Sequence, residues 1–261
     1  MRARGEGDRR DTNLALTATR DAYYASLGKN ANADIIYSDD GKTAMFMFDE
    51  FVFGTSEQVF NDDETIKDTA YLFDTYFQMV KVLNDIKNHG GVENVILDIS
   101  TNGGGTVGVM MKLLALLSKE NSTNFFYYQA NSTQLVKQTS RCDANFDGKF
   151  DKDETFGNDF KFYILTSDCS FSCANAFPCI AQREGLAKII GQKSGGGECA
   201  VNIHILPNSE IVYHSSDLHL GYYDEEKKEF IGFEDGATPD YEVAISDSFY
   251  NINILSQTIS Q

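Results

Sequence analysis

Ser172 stands where a strand-like run ends and a helix begins, in the stretch TSDCSFSCANAF of residues 166–177. A serine at the start of a helix most often caps the first free backbone N–H groups. The same place also suits a nucleophile, because the positive end of the helix dipole and the N–H of Cys173 could stabilise an oxyanion. The local sequence leaves both interpretations open. Pro178 predicts a short turn or kink in the helix that follows.

Three consecutive glycines, Gly103 to Gly105, lie between another predicted strand and helix. Without a Cβ, the backbone can approach a ligand closely and present its N–H groups to an anion. A site for a developing oxyanion is one interpretation of this cluster, and a structural tight turn is another. The stretch also matches GxGxxG through Gly108. However, the next strand ends in Gln129, Ala130 and Asn131 and lacks the acid that a dinucleotide site needs there.

The acidic stretch DANFDGKFDKDE, residues 143–154, matches the calcium-loop pattern D-x-[DN]-x-[DN]-G-x5-E at every fixed position. Gly148 allows the sharp turn that such a loop requires. A solvated acidic turn is the alternative interpretation. The expected ligands of a structural calcium ion are the side chains of Asp143, Asn145, Asp147 and Glu154, the carbonyl of Lys149, and Asp151 through water.

Charge and cysteine content restrict the partners of the chain. The formal net charge of −17 repels a phosphate backbone, so nucleic acid is not an expected partner. No apolar run approaches the roughly 20 residues of a membrane span. The five cysteines form no CxxC pair, and their odd number leaves at least one free thiol if disulfides form. The four histidines show no metal-ligand spacing and are interpreted as structural.

Strand and helix patterns alternate through the middle of the chain, which predicts an α/β fold with a largely parallel sheet and a strand-rich C-terminal part. Residues 1–40 are interpreted as the end of a preceding segment or a linker, and residues 41–261 as the core domain. A long amphipathic helix is predicted over residues 61–91, with Asn61 as its N-cap. Strands are predicted over residues 43–54, 93–100, 124–130, 161–167 and 187–192.

Five motifs in chain order resemble those of the C-terminal processing (tail-specific) serine peptidases: KTAMFMFDEF, VILDISTNGGG, SFSCAN, IIGQKSGGGECAV and GATPD, over residues 43–247. The resemblance implies a crotonase-like layered core, with residues 1–40 as the remnant of a PDZ-like segment. It also implies that Ser172 attacks the scissile carbonyl, and that the N–H groups of Gly104 and Cys173 form the oxyanion hole. A polypeptide substrate and an extracytoplasmic location, secreted or in the cell envelope, follow from the same resemblance.

The sequence departs from this family at the general base. The position that holds lysine in the Ser–Lys branch is Gly197, so the resemblance is to the Ser/His/Glu branch, with Glu234 as the candidate acid. Met47 stands at one place where that branch has its histidine. We therefore expect a serine endopeptidase core, N-terminally truncated, whose base lies outside this chain and which needs no cofactor for catalysis. A catalytically degenerate peptide-binding module on the same fold is the alternative.

Overall fold

The computed structural model describes the backbone of residues 6–261 and the side chains of residues 9–261. The described α-helices are α1 (Glu6–Ser26), α2 (Ser56–Val59), α3 (Thr75–His89), α4 (Val107–Leu117), α5 (Cys173–Arg183) and α6 (Ile252–Ile259). The described strands are β1 (Ile36–Tyr37), β2 (Thr43–Met47), β3 (Asn94–Asp98), β4 (Thr123–Gln129), β5 (Gln134–Ser140), β6 (Lys161–Thr166), β7 (Ala187–Gly191), β8 (Cys199–Ile205), β9 (Ile211–Asp224), β10 (Glu229–Gly232) and β11 (Tyr241–Glu242).

The central sheet has the order β1-β2-β3-β6-β7-β11. Its strands pair in parallel except for β1, which is antiparallel to β2. Successive side chains of β3 face opposite sides, so that Val95 and Leu97 enter one apolar cluster and Ile96 enters the other. A strand buried on both faces is a near-continuous apolar run, as VILD is here. The prediction of a mixed α/β fold with a mostly parallel sheet is confirmed.

Helices cover both faces of this sheet. Residues of α3, α4 and α5 form the cluster on one face, and residues of α1 and α6 form the cluster on the other. Leu16, Arg20 and Tyr24 of α1 are buried there against the sheet. The described part of residues 1–40 therefore packs with the core, while residues 1–5 of that predicted segment lie outside the described residues.

A second, antiparallel sheet carries much of the C-terminal part of the chain. Its order is β10-β9-β4-β5, and β8 also pairs with β9. Phe125 of β4 and Leu220 of β9 are buried in the core cluster. This sheet confirms the expected richness in strands, although α6 was not predicted from the sequence. None of the helices in the described part of the chain combines the length and the apolar character that a membrane span requires.

Two predicted helical features are corrected by the structure. The predicted helix over 61–91 begins only at Thr75, because Asp74 caps it: its carboxylate accepts hydrogen bonds from the N–H groups of Tyr76 and Phe77. The stretch before it forms turns and a short 3₁₀ helix, Ala70–Leu72, instead. Pro178 lies inside α5 without ending it. Its buried neighbours Phe177 and Ile180 supply packing that offsets the lost backbone hydrogen bond.

Candidate active site

Ser172 and the glycine cluster meet because they follow two neighbouring parallel strands. β3 and β6 pair with Asp98 opposite Leu165, so both chains leave the sheet at the same edge. In open α/β sheets this carboxyl edge is where ligands bind. The two loops are joined by hydrogen bonds: the Ser170 hydroxyl donates to the Ile99 carbonyl at 2.8 Å, and the Phe171 N–H donates to the Asn102 carbonyl at 3.2 Å.

The backbone of Ser172 is in a conformation that a simple helix cap does not require. Its φ is 57° and its ψ is −122°, and its side chain makes no capping hydrogen bond to α5. Among the described residues no group hydrogen-bonds to its hydroxyl, while its N–H donates to the Gly196 carbonyl at 3.0 Å. A non-glycine residue in such a region costs on the order of 1–3 kcal/mol and is typical of functional sites. The capping interpretation of Ser172 is therefore wrong.

The glycines are required by close contacts within the protein. A Cβ on Gly104 would lie 2.8 Å from the Cβ of Ser172 and 3.1 Å from the nitrogen of Cys173. A Cβ on Gly105 would lie 2.4 Å from the carbonyl oxygen of Phe51. Both residues also have positive φ values, of 114° and 133°. Only Gly103 has open space at its Cβ position. Gly104 allows the loop of Ser172 to approach and Gly105 allows that of Phe51, so these two glycines serve contacts within the protein rather than the approach of a dinucleotide.

The two N–H groups expected in the oxyanion hole differ in their hydrogen bonds. The Cys173 N–H has no acceptor among the described residues, and it lies at the start of α5, where the helix dipole favours negative charge. The Gly104 N–H donates to the Asn102 side-chain oxygen at 2.8 Å, so a substrate oxygen would have to displace that acceptor.

Asn102 is a site residue to which the sequence alone gave no role. Its side chain is buried and donates to the Phe48 carbonyl at 3.0 Å, while its oxygen holds the Gly104 N–H. The residue thus fixes the glycine turn against the end of β2. Its only signal in the sequence is its place in the motif STNGGG.

Glu234 lies in the loop between β10 and β11 and contacts the loop between β7 and β8, which supports Ser172. Its carboxylate accepts from the N–H groups of Gly197 and Glu198, at 3.1 and 3.2 Å. The neighbouring Gly196 carbonyl is the acceptor of the Ser172 N–H. None of the four histidines, all of which the structure describes, hydrogen-bonds to Glu234 or to Ser172.

The position of the family's lysine is closed to a side chain from residue 197. A Cβ on Gly197 would lie 2.6 Å from the ring of Phe171, and its φ is 90°. The guanidinium of Arg9 lies 4.3 Å from the centre of the same ring and donates to the Gly195 carbonyl at 3.3 Å. Met47, the other place considered for a base, has 2% of its surface exposed and packs in the core.

No thiol has the electrostatic environment of a nucleophile. All five cysteines are free. Burial raises the pKa of Cys173, next to the candidate serine, to about 12 and that of Cys169 to about 11. A reactive cysteine requires a lowered pKa, because only the thiolate attacks. The structure therefore favours the Ser172 hydroxyl over the neighbouring thiols.

The acidic stretch of residues 143–154 forms a closed loop. Carboxylate oxygens of Asp143, Asp147 and Glu154 all lie within 4.8 Å of one another. Gly148 has a φ of 83°, and its N–H donates to the Asp143 carboxylate at 2.9 Å. The side-chain oxygen of Asn145 accepts from the Asp147 N–H, also at 2.9 Å.

The other two expected ligands, Lys149 and Asp151, do not belong to the group of three converging carboxylates. Lys149 places its ammonium 3.1 Å from the Asp147 carboxylate. Asp151 begins a short 3₁₀ turn that ends at Glu154, and its carbonyl accepts from the Asn121 side chain.

Comparison with known proteins places this geometry in a family. The family model Peptidase_S41, described as peptidase family S41, matches residues 62–243. No curated protein matches the chain. Similar solved structures include a protein assigned as an S41 protease from Bacteroides fragilis NCTC 9343, with 19% identity and a TM-score of 0.58. The photosystem II D1 C-terminal processing protease has 13% identity and a TM-score of 0.51, and mature CPAF complexed with lactacystin has 13% and 0.56.

These structures share the fold over most of the chain. The match to the Bacteroides fragilis protein covers 87% of this chain and 56% of that protein. The match to the photosystem II D1 processing protease covers 77% and 42%, and the match to CPAF covers 87% and 54%. The chain thus spans about half the length of the structures that it resembles. The resemblance to the C-terminal processing peptidases is confirmed, and the family match extends over the glycine turn, Ser172 and the loop of Glu234. The chain belongs to peptidase family S41, a family of serine-type peptidases.

Proposed function

We propose that this chain is the nucleophile-bearing core of a serine endopeptidase that forms an acyl-enzyme on Ser172. The observation that carries the proposal is the free Ser172 hydroxyl at the N-terminus of α5, beside the unpaired N–H of Cys173 and packed against Gly104. A strained backbone that presents a serine hydroxyl next to a backbone donor suits acyl transfer. The crotonase-like layering and the extracytoplasmic location remain parts of this proposal, derived from the family resemblance.

In the proposed reaction the Ser172 oxygen attacks the carbonyl carbon of the scissile peptide bond. The electron pair of the carbonyl moves to its oxygen, which accepts hydrogen bonds from the Cys173 N–H and from the Gly104 N–H released by Asn102. The hydroxyl proton passes to a general base and then to the leaving amine. Water repeats the sequence to release the acyl group and restore the serine.

We propose that the base comes from a segment of the protein outside this chain. The support is the contact that a side chain at Gly197 would make with the Phe171 ring, the burial of Met47, and the lack of a hydrogen bond between Ser172 and any of the four described histidines. Glu234 is the candidate for the acid that orients such a base, since its carboxylate already lies on the loop that holds the Ser172 N–H. A serine hydroxyl without a base is a poor nucleophile at neutral pH.

A degenerate peptide-binding module is the second candidate. The missing base favours it, and strand addition could hold an extended peptide without cleavage. The unpaired hydroxyl and the strained backbone of Ser172 favour the enzyme, because a binding module has no need of either. A reactivity measurement separates the two.

Fluorophosphonate labelling of the full-length protein tests the proposed function. Labelling is expected in the unaltered protein and is expected to be absent in Ser172→Ala. Ser209→Ala is the matched control, because Ser209 is an exposed serine that also has a positive φ, of 66°, and its loss should leave labelling unchanged. Equal labelling of the unaltered protein and Ser172→Ala would refute the role of Ser172. No labelling of either would favour the binding module.

We also infer that residues 143–154 bind a structural calcium ion. Calcium prefers six to eight oxygen ligands, and three carboxylates converge in this loop around a glycine turn. The ion would stabilise the connection between β5 and β6, the strand that leads to Ser172, and would take no part in the chemistry. Asn121 ties the loop to the body of the protein by donating to the carbonyls of Cys142 and Asp151 at 2.8 Å.

Calorimetric titration with calcium tests this inference. One binding event is expected in the unaltered protein, and Asp143→Ala should remove its heat, because the carboxylate at the first position of the loop is lost. Asp63→Ala is a suitable control, since Asp63 is an exposed acid whose carboxylate accepts from the Thr65 N–H in a different turn. Calcium binding that survives Asp143→Ala, or that disappears in Asp63→Ala, would contradict the assignment.

A further inference from the structure

Three side chains that could bind a metal meet where β8 pairs with β9. Glu198 and Cys199 are adjacent in sequence, and Cys199 lies opposite His219 in the strand register. The Nδ1 atom of His219 is 2.7 Å from a carboxylate oxygen of Glu198 and 3.4 Å from the sulfur of Cys199. One ligand atom from each residue lies within 4.8 Å of the other two. The three groups therefore face one point.

This convergence differs from the arrangement of a catalytic relay. In a relay the nucleophile contacts one nitrogen of the imidazole and the orienting acid contacts the other. Here the carboxylate and the sulfur both approach Nδ1, while Nε2 is 4.0 Å from the sulfur. Ligand atoms around a tetrahedral zinc ion are about 3.3–3.8 Å apart, as follows from bond lengths of about 2.0–2.3 Å. The distance of 3.4 Å between Nδ1 and the sulfur falls in that range, whereas the 2.7 Å between Nδ1 and the Glu198 oxygen is a hydrogen-bond distance that a bound ion would widen.

The protein also fixes the orientation of the carboxylate. The second oxygen of Glu198 accepts from the Glu234 N–H at 2.9 Å, which leaves the first oxygen directed at His219. Hydrogen bonds of this kind orient the ligands of metal sites. Glu198 and His219 keep 14% and 28% of their side chains exposed, so an ion can enter from solvent.

We propose that Glu198, Cys199 and His219 form a binding site for a zinc-class divalent cation, with water as the fourth ligand. A set of one nitrogen, one sulfur and one oxygen ligand suits zinc or cobalt and does not suit calcium or magnesium. Binding would release the thiol proton of Cys199 to solvent and would require the neutral His219 ring to carry its proton on Nε2, so that Nδ1 is free. The hydrogen bond between His219 and Glu198 would be replaced with two metal–ligand bonds. No redox step is involved.

The site has a structural connection to the nucleophile. Glu198 lies two residues after Gly196, whose carbonyl accepts a hydrogen bond from the Ser172 N–H. The Glu234 carboxylate accepts hydrogen bonds from the N–H groups of Gly197 and Glu198 in the same loop. A bound ion would restrict the movement of this loop. Any effect of the ion on the reactivity of Ser172 rests on the proposed function, whereas the binding of the ion does not.

Titration with cobalt(II) tests the site independently of peptidase activity. One equivalent is expected to bind, to produce a sulfur-to-cobalt charge-transfer band in the near ultraviolet, and to be displaced by zinc. Cys199→Ser should remove the band, and His219→Gln should weaken cobalt binding by at least about 100-fold, since loss of a supporting group alone costs 10–100-fold.

Two control variants replace one cysteine and one histidine that lie outside the proposed site. Cys179→Ser and His214→Gln should keep the band and the affinity, because Cys179 lies in α5 and the His214 ring stacks on His204. Absence of the band in the unaltered protein would overturn the proposal, even if the variants failed to fold. Persistence of the band in Cys199→Ser would overturn it as well.

Discussion

Replacing Gly104 with alanine in the full-length protein is expected to reduce fluorophosphonate labelling of Ser172 by at least about 100-fold, because the new methyl group displaces the proposed nucleophile. The added Cβ would lie 2.8 Å from the Cβ of Ser172 and 2.9 Å from the carbonyl oxygen of Phe171. Neither neighbour is the flexible end of a side chain, so the backbone itself must shift. The φ of 114° at Gly104 adds strain that an alanine cannot relieve in place.

The adjacent glycine provides the matched control. Gly103 has nothing within 4 Å of its Cβ position and no positive φ, so Gly103→Ala should leave labelling within a few-fold of the unaltered protein. The thermal unfolding temperatures of both variants show whether a loss of labelling comes from a displaced Ser172 or from an unfolded protein. Equal labelling rates for the two variants would show that the glycine turn does not position Ser172.

The meeting of Ser172 with the glycine turn could be predicted from the sequence. Both lie just after apolar strands, VILD and KFYILT, and parallel strands end at a common edge. The helix predicted over 61–91 is present from Thr75 to His89, and the prediction was wrong only before Asp74, where Leu72 had been included in the apolar face. Periodicity alone does not reveal where a capping side chain interrupts a helix.

Other parts of the site depend on contacts that no local pattern contains. Glu198 and Cys199 meet His219 only through the register of β8 with β9, across about 20 residues of sequence with no regular spacing. The hydrogen bond from Gly104 to Asn102 depends on the conformation of the turn. The packing of α1 on the sheet was not predicted, because residues 1–40 are polar and mixed in composition, and the buried face of α1 includes a charged residue, Arg20, of a type that is rarely buried.

Replacing Arg20 with methionine is expected to destabilise the fold by about 3–5 kcal/mol at neutral pH, since the fully buried Asp98 carboxyl would lose the cation that opposes its desolvation. Only 2% of the Arg20 side chain is exposed, and its guanidinium donates to the Thr101 hydroxyl at 2.7 Å and to Asp49 at 3.3 Å. Burial alone would lower the pKa of Arg20, but the charges of the fully buried Asp98 and of Asp49 outweigh it and raise that pKa.

The pH dependence of this loss follows from Asp98. Burial raises the pKa of Asp98, and the Arg20 cation opposes the rise. The folded state therefore keeps a proton that the unfolded chain, with a pKa of about 3.9, has released. Stability falls as the pH rises through the interval between the two pKa values. Arg20→Met removes the opposing charge and extends this interval upward, so its cost should shrink as the pH falls toward about 4.

Urea unfolding at a series of pH values from about 4 to about 9 measures this difference, with Arg10→Met as the control, because Arg10 lies on the exposed side of the same helix. Combining Arg20→Met with Asp98→Asn should recover much of the lost stability, since an uncharged pair leaves no isolated buried charge. A cost for Arg20→Met within about 0.5 kcal/mol of the Arg10→Met cost would place it in the range of an ordinary surface substitution. Either that result or a cost that stays constant over this pH range would show that Arg20 does not balance the charge of Asp98.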